Sequence, residues 1–185
     1  MFENLEALEK WLQEKGIDTA VWGQANSKTA ADLWQEIAAG ETILNGDPMR
    51  RRVNVVEVIV YQGAQMLIEA AQELADGRTR QRRLPPSEKI KPGEDILQAA
   101  RRCLWEEVNI SEQNILSISQ SEGKRCHERP SPSYPGLITH YTVYRVETAV
   151  TNLPTHNFWH TNVAHTANDP VKRHLWVWVS ANYYP

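Results

Sequence analysis

Carboxylates and an arginine are spaced along the middle of this 185-residue chain in a pattern that suits charge chemistry. Glu94 precedes Arg102 by eight residues, and the adjacent Glu106 and Glu107 follow that arginine by four and five. Adjacent carboxylates repel each other unless a cation or an arginine lies between them. On a helix, Arg102 and Glu106 could form an ion pair. The pattern therefore indicates either an ion-paired helix surface or a site that holds a cation.

A helix over residues 95–108 would position these groups. Apolar residues recur there at the helical period and should face the core: Leu97, Ala100, Leu104 and Val108. By the same period, Arg102, Cys103 and Glu106 fall on the opposite side, with Glu107 at the edge. We therefore expect the charged side chains to share one polar face.

The segment resembles the box of the Nudix hydrolase superfamily, G-x5-E-x7-R-E-U-x-E-E-x-G-U, in which U is aliphatic. The register starts at Glu88, and its spacing holds throughout. The matching positions are Glu94, Arg102, Leu104, Glu106, Glu107 and Ile110. The resemblance implies a Mg²⁺-dependent (or Mn²⁺-dependent) hydrolase of a nucleoside diphosphate linked to another moiety.

The resemblance also implies roles for the matched residues. Glu106 and Glu107 would bind the metal, and Arg102 would orient Glu106. Glu94 would brace the loop or complete the site. The expected partner is a small nucleotide or diphosphate compound.

Three residues depart from the box. Cys103 stands where the family has a glutamate that usually binds metal, and a thiol is a poor ligand for Mg²⁺. Glu88 replaces a glycine, and its carboxylate could supply an oxygen from the loop instead. Asn109 replaces the second glycine but tolerates the left-handed conformation that a helix C-terminus needs. A catalytically inactive module that binds a ligand or a protein is the alternative function.

The rest of the chain predicts an α+β fold: a Nudix-type α/β/α sandwich with a mixed sheet and an N-terminal helical extension. We expect the extension to cover residues 1–45 and the Nudix-like domain residues 46–185. Apolar stripes predict helices over residues 3–15 and from an N-cap at Ser27 to Gly40. The predicted strands are 17–22, 53–61, 65–74, 78–84, 115–119, 137–149 and 173–179.

A row of arginines is a candidate substrate-binding surface. Arg78, Arg80 and Arg82 alternate along a predicted strand and so should point to one face, where they could grip a polyphosphate. A solvated strand face balanced by nearby acidic residues is the favoured explanation of the row. The net charge of −3 argues against nucleic-acid binding.

Histidines and cysteines offer further candidates. His156, His160 and His165 cluster near Asp169, and the first two have the spacing of a zinc pair if that stretch is helical, although its polar composition favours a loop. Cys126 and Cys103 could be nucleophiles, because a nearby cation lowers the pKa of a thiol, but a small buried thiol is the simpler interpretation.

Composition narrows the class of protein. Hydrophobic residues make up 41% and charged residues 23%, as in an ordinary globular domain. No apolar run is long enough for a membrane span, and the acidic N-terminus lacks the apolar core of a signal peptide. Two cysteines do not make a disulfide framework, so we expect a cytoplasmic protein. A homodimer is an open alternative to a monomer.

Overall fold

The computed structural model describes residues 2–24, 27–46, 49–162 and 171–183. Its helices are α1 (Leu5–Glu14), α2 (Ala30–Ala38) and α3 (Ile96–Val108). Its strands are β1 (Ile43–Gly46), β2 (Met49–Gln62), β3 (Gln65–Leu74), β4 (Thr79–Leu84), β5 (Ser87–Lys89), β6 (Ile115–Gln120), β7 (Arg125–Pro130), β8 (Ile138–Val150), β9 (Phe158–Thr161) and β10 (Val171–Ser180). No helix within these ranges is both long and apolar enough to cross a bilayer.

The chain forms two compact units. The first comprises Met1–Val55, Lys89–Gly93 and Lys124–Val143, and the second comprises Val56–Glu88, Glu94–Gly123 and Tyr144–Pro185. Strands β2 and β8 each contribute residues to both units. The domain boundary predicted between residues 45 and 46 stays a prediction.

The first unit is built around the two N-terminal helices. Asn4 caps α1, and Thr29 with Asp32 forms a capping box at the start of α2. Antiparallel pairs join β1 to the start of β2 and β7 to the start of β8. The fully buried members of its core are Leu8, Leu12, Trp22, Ala30, Leu33, Tyr134 and Leu137.

A buried glutamate holds several cations in the first unit. The carboxylate of Glu36 accepts hydrogen bonds from Arg51 at 2.6 Å and from Lys28 at 2.9 Å, and Lys89 Nζ lies 2.8 Å away. Burial by itself would raise the pKa of Glu36, but the cations outweigh it and hold that pKa well below its ordinary value. The charge is thereby satisfied inside the unit.

The second unit contains a sheet, with α3 as its only α-helix among the described residues. Strand order across the sheet is β6-β8-β2-β3-β10-β9, and β4 pairs with the body of β3. The centre of the sheet is apolar: Ile59, Met66 and Ile68 are buried, and the large Trp176 is fully buried. The predicted α+β fold with a mixed sheet is confirmed.

Several local predictions were wrong. Residues 17–22 form turns rather than a strand, because Asp18 Oδ1 accepts from Ala20 N and Trp22 N donates to Thr19 O. The N-cap of α2 is Thr29 rather than Ser27. The short or polar strands β1, β5, β7 and β9 were not predicted, because their sequences carry little apolar alternation.

Candidate functional site

The helix α3 carries the candidate residues, and its ends are fixed by its own sequence. Asp95 is the N-cap, with Oδ1 accepting from Gln98 N at 2.8 Å while Gln98 Oε1 accepts from Asp95 N at 2.9 Å. At the other end Asn109 adopts the left-handed conformation with φ of 59°. The helix predicted over residues 95–108 therefore has its N-cap at 95 and its last residue at 108.

Arg102 gathers the carboxylates of the helix and the preceding loop. Its guanidinium donates to both carboxylate oxygens of Glu94, at 2.9 and 3.0 Å, and to Glu106 at 3.1 Å. Glu88 lies 3.7 Å from the same guanidinium. Such bidentate pairs fix orientation as well as charge. The ion pair expected between Arg102 and Glu106 is present, and Arg102 also pairs with Glu94 in the loop before the helix.

Glu107 faces a different set of partners. Its Oε2 lies 3.5 Å from Nδ1 of His174, and the same nitrogen lies 2.5 Å from Oε1 of Glu69. The ligand atoms of the three side chains all lie within 4.8 Å of one another. Glu69 comes from β3 and His174 from β10, and both side chains are buried. We call Glu69, Glu107 and His174 the two-glutamate cluster.

Irregular strand pairing flanks Glu69 on both sides. The register of β3 with β4 shifts between Glu69 and Ala71, and the non-glycine Arg83 takes a φ of 90° there. The register with β10 also shifts, between Leu175 and Trp176, where Trp176 lies opposite Glu69. Bulges re-aim side chains next to functional sites. Arg82 is thereby brought onto Glu69, with 2.9 Å between its Nε and Oε2.

The electrostatics of Glu107 follow from this setting. Burial raises its pKa to about 7, from an ordinary value of 4.5, and the negative charges of Glu69 and Glu88 add to this effect while His174 opposes it. Burial also acts on Glu69, but hydrogen bonding to His174 and the charge of Arg82 lower its pKa overall. A further positive charge close to Glu107 would therefore stabilise the ionised form of its carboxylate.

Cys103 does not lie on the polar face, and that prediction was wrong. Its side chain is fully buried on one wide face of α3 together with Ala99, Ala100 and Leu104, because Cys103 follows Ala99 by one helical turn. Burial raises the pKa of the thiol well above its ordinary value, and the charges of Glu107 and Glu88 raise it further against the opposing effect of Arg102. These surroundings argue against a nucleophilic thiolate.

The three arginines of the predicted row have different surroundings. Strand β4 begins at Thr79, so Arg78 precedes it and pairs with Asp76 at 2.7 Å within the hairpin turn. Arg80 donates to Gln72, and Arg82 donates to Glu69. Among the three, Arg82 is the one that contacts the two-glutamate cluster.

The histidine cluster is only partly covered by the described residues. His165 and Asp169 lie outside them. His156 is exposed in a bend, while His160 lies on β9, so the two do not share the helix that a zinc pair at this spacing requires. His160 instead lies opposite His174 in the β9–β10 pair. Cys126 is exposed on β7 in the first unit.

The chain resembles known proteins over most of its length. The family model of the NUDIX domain matches residues 49–180, which is well over half of the chain. The chain belongs to the NUDIX domain family. The matched residues include both the Arg102 contacts and the two-glutamate cluster, so α3 and the side chains that β3 and β10 contribute to the cluster lie within one family match.

Solved structures of NUDIX proteins are among the similar chains. One is the dihydroneopterin triphosphate pyrophosphohydrolase of E. coli, with 20% identity, a TM-score of 0.44, and coverage of 70% of this chain and 81% of that one. Another is a NUDIX hydrolase from Nitrosomonas europaea, with 19% identity, a TM-score of 0.42, and coverage of 67% and 70%. An Ap4A hydrolase of C. elegans has 16% identity, a TM-score of 0.37, and coverage of 69% and 79%. No curated protein matches the chain.

Glu69 and His174 were not predicted as site residues from the sequence. A signal was present, because Glu69 interrupts an apolar run in β3 and His174 directly precedes one in β10, and such residues are rarely buried without a partner. The identity of the partner depends on strand register, which the sequence pattern did not supply.

Proposed function

We propose that this chain is a divalent-metal-dependent hydrolase of a nucleoside diphosphate linked to another moiety. One observation carries the proposal: carboxylates from outside α3 lie near Glu107. On α3 itself, Cys103 occupies the position where the box has a further glutamate. Glu69 shares His174 with Glu107, and the charge of Glu88 adds to the burial that raises the pKa of Glu107. These carboxylates could compensate for the missing box glutamate.

The side chains present fit a divalent cation. Carboxylate oxygens are the hard ligands that Mg²⁺ and Mn²⁺ accept, and Glu69 and Glu107 offer two within 4.8 Å together with the imidazole of His174. Burial, with the charges of Glu69 and Glu88, raises the pKa of Glu107 to about 7 against the opposing charge of His174, and a bound cation would favour the ionised carboxylate. A bound cation would supply charge neutralisation on phosphate oxygens and activation of water.

The remaining residues would position the metal, the loop before α3 and the substrate. In the proposal Glu106 is a second metal ligand and is oriented by Arg102, whose other contacts are to Glu94. Because the guanidinium holds both oxygens of Glu94, the loop before α3 is tied to the helix that carries Glu107. Arg80 and Arg82 remain the candidates for a substrate phosphate, and Arg78 is the more distant one because it pairs within its own turn.

A binding module without catalysis is the second candidate, and Cys103 favours it. The buried thiol offers no charge, and Arg102 already neutralises part of the charge of Glu94 and Glu106. Under this alternative the carboxylates stabilise the fold, and a diphosphate or a protein would bind without being cleaved.

Product release under controlled metal distinguishes the two candidates. Nucleoside diphosphates linked to a sugar, to a second nucleoside or to further phosphate would be incubated with Mg²⁺ or Mn²⁺, and monophosphate products would be quantified by chromatography. We expect cleavage of at least one substrate class that requires the metal and is abolished in Glu107→Gln. Glu112→Gln is the matched control, since Glu112 is exposed just beyond the same helix and pairs with Arg101.

Absence of cleavage across the panel with either metal would refute the hydrolase proposal and leave the binding module. Cleavage that survives Glu107→Gln would refute the role of this carboxylate. Loss of cleavage in both variants would indicate a general effect of removing charge near α3, so the control must retain activity.

A further inference from the structure

His174 is placed where a metal ligand would lie. Its Nδ1 is 2.5 Å from Glu69 and 3.5 Å from Glu107, so one imidazole nitrogen lies between two carboxylates from separate elements. The side chain is 2% exposed, and its ring stacks on Trp176 with 5.9 Å between centroids. An imidazole held this firmly has little freedom to turn away from the carboxylates.

A second imidazole stands beside the cluster. His160 lies opposite His174 in the antiparallel pair of β9 and β10, so both side chains are on the same face of the sheet. Its Nε2 is buried and makes no hydrogen bond within the described part of the chain. Burying a polar nitrogen without a hydrogen-bond partner costs free energy, unless a ligand lies beside that nitrogen.

Ligand type decides which cation such a site prefers. Mg²⁺ demands oxygen ligands, whereas imidazole nitrogen suits transition metals, and Mn²⁺ accepts both imidazole and carboxylate. The Nudix box supplies carboxylates from one helix, but here the cluster adds a histidine from β10 and a glutamate from β3. We infer that Glu69, Glu107 and His174 form a mixed nitrogen–oxygen metal site that selects Mn²⁺ over Mg²⁺, in which the cation replaces the proton held between Nδ1 of His174 and Glu69 and that proton passes to solvent. This inference rests on the proposed function only in placing the metal at Glu107.

Direct spectroscopy of bound Mn²⁺ tests the inference without an activity assay. Electron spin echo measurements on the protein loaded with one equivalent of Mn²⁺ detect a directly bonded ¹⁴N nucleus. We expect a ¹⁴N coupling in the unlabelled protein and its replacement by a ¹⁵N coupling when the histidines are labelled with ¹⁵N. This comparison uses the wild-type chain, so it does not depend on a variant that must fold.

Variants then assign the nitrogen. His174→Gln should remove the ¹⁴N coupling and raise the dissociation constant for Mn²⁺ by about 10-fold or more, while that for Mg²⁺ changes far less. His160→Gln is the matched control, because it removes the neighbouring imidazole on the same face. If the coupling disappears in His160→Gln and persists in His174→Gln, the assignment of His174 is wrong.

The outcomes separate this inference from the proposed function. Bound Mn²⁺ with no nitrogen coupling, or equal affinity for Mn²⁺ and Mg²⁺, overturns the mixed site and leaves a hydrolase with oxygen ligands alone. Failure to bind either cation overturns both. Thermal unfolding of His174→Gln, followed by circular dichroism, shows whether the variant is folded under the conditions of the titration.

Discussion

Replacing Glu107 by glutamine should stabilise the metal-free protein at neutral pH, although the same change is expected to abolish activity. Glu107 has a folded-state pKa raised to about 7 by burial and by neighbouring carboxylates, against an ordinary value of 4.5. Between these pH values the folded protein binds more protons than the unfolded chain, so stability falls as pH rises. Glutamine carries no charge at any pH and is free of this penalty.

The magnitude follows from the difference between the two pKa values. At about 1.4 kcal/mol per pH unit, the ionised Glu107 lowers the free energy of unfolding by about 3 kcal/mol above pH 7. The loss is small near pH 4.5. The side chain of Glu107 is 23% exposed, so most of its surroundings are protein rather than water. Between pH 5 and pH 8 the stability of Glu107→Gln relative to wild type should grow by about 2 to 3 kcal/mol, or about 5 to 10 °C in Tm.

The assay is urea unfolding of both proteins in EDTA at pH 5 and pH 8, followed by tryptophan fluorescence. Glu112→Gln serves as the control and should show no comparable growth, since Glu112 is exposed. A Glu107→Gln variant that is less stable than wild type by the same amount at both pH values would refute the reasoning. That result would mean that the contact with His174 stabilises the fold more than the buried charge destabilises it.

Three further predictions concern single residues. Cys103→Glu should cost the metal-free protein about 2 to 4 kcal/mol because the site is fully buried, and saturating Mn²⁺ should recover part of that loss in thermal melts. Asn109→Gly should change the free energy of unfolding by less than about 1 kcal/mol, whereas Asn109→Val should cost about 1 to 2 kcal/mol because of the left-handed backbone; equal costs in urea unfolding would contradict this. Glu36→Gln should cost about 3 to 5 kcal/mol at pH 7 because the buried Arg51 loses its carboxylate partner. Because the folded-state pKa of Glu36 is lowered, the stability it confers is present above its unfolded-state pKa and is lost as pH falls, so the gap to Glu36→Gln should narrow in acid.

The sequence predicted the local parts of the candidate site well. Helix α3, its N-terminal turn, and the ion pair between Arg102 and Glu106 depend on residues close in the chain, where spacing determines contact. The left-handed Asn109 was also expected, because asparagine tolerates that conformation. The functional roles of these residues stay predictions until activity is measured.

Contacts between distant strands could not be predicted in the same way. Glu69 and His174 meet because β3 and β10 pair with a shifted register, and a register shift leaves no mark in hydrophobic periodicity. Cys103 was misplaced because the apolar stripe predicted too narrow a buried face: Ala99 and Cys103, one helical turn apart, extend that face beyond Ala100 and Leu104. Both errors concern packing partners rather than the elements themselves.

Calorimetric titration of Mn²⁺ into the wild-type chain and into Glu107→Gln measures whether Glu107 holds a divalent cation. We expect saturable binding of the cation to wild type near neutral pH, with loss of that binding in Glu107→Gln and its retention in Glu112→Gln. Binding that is equal in wild type and Glu107→Gln, or no binding to wild type, would contradict the claim that this carboxylate holds a divalent cation.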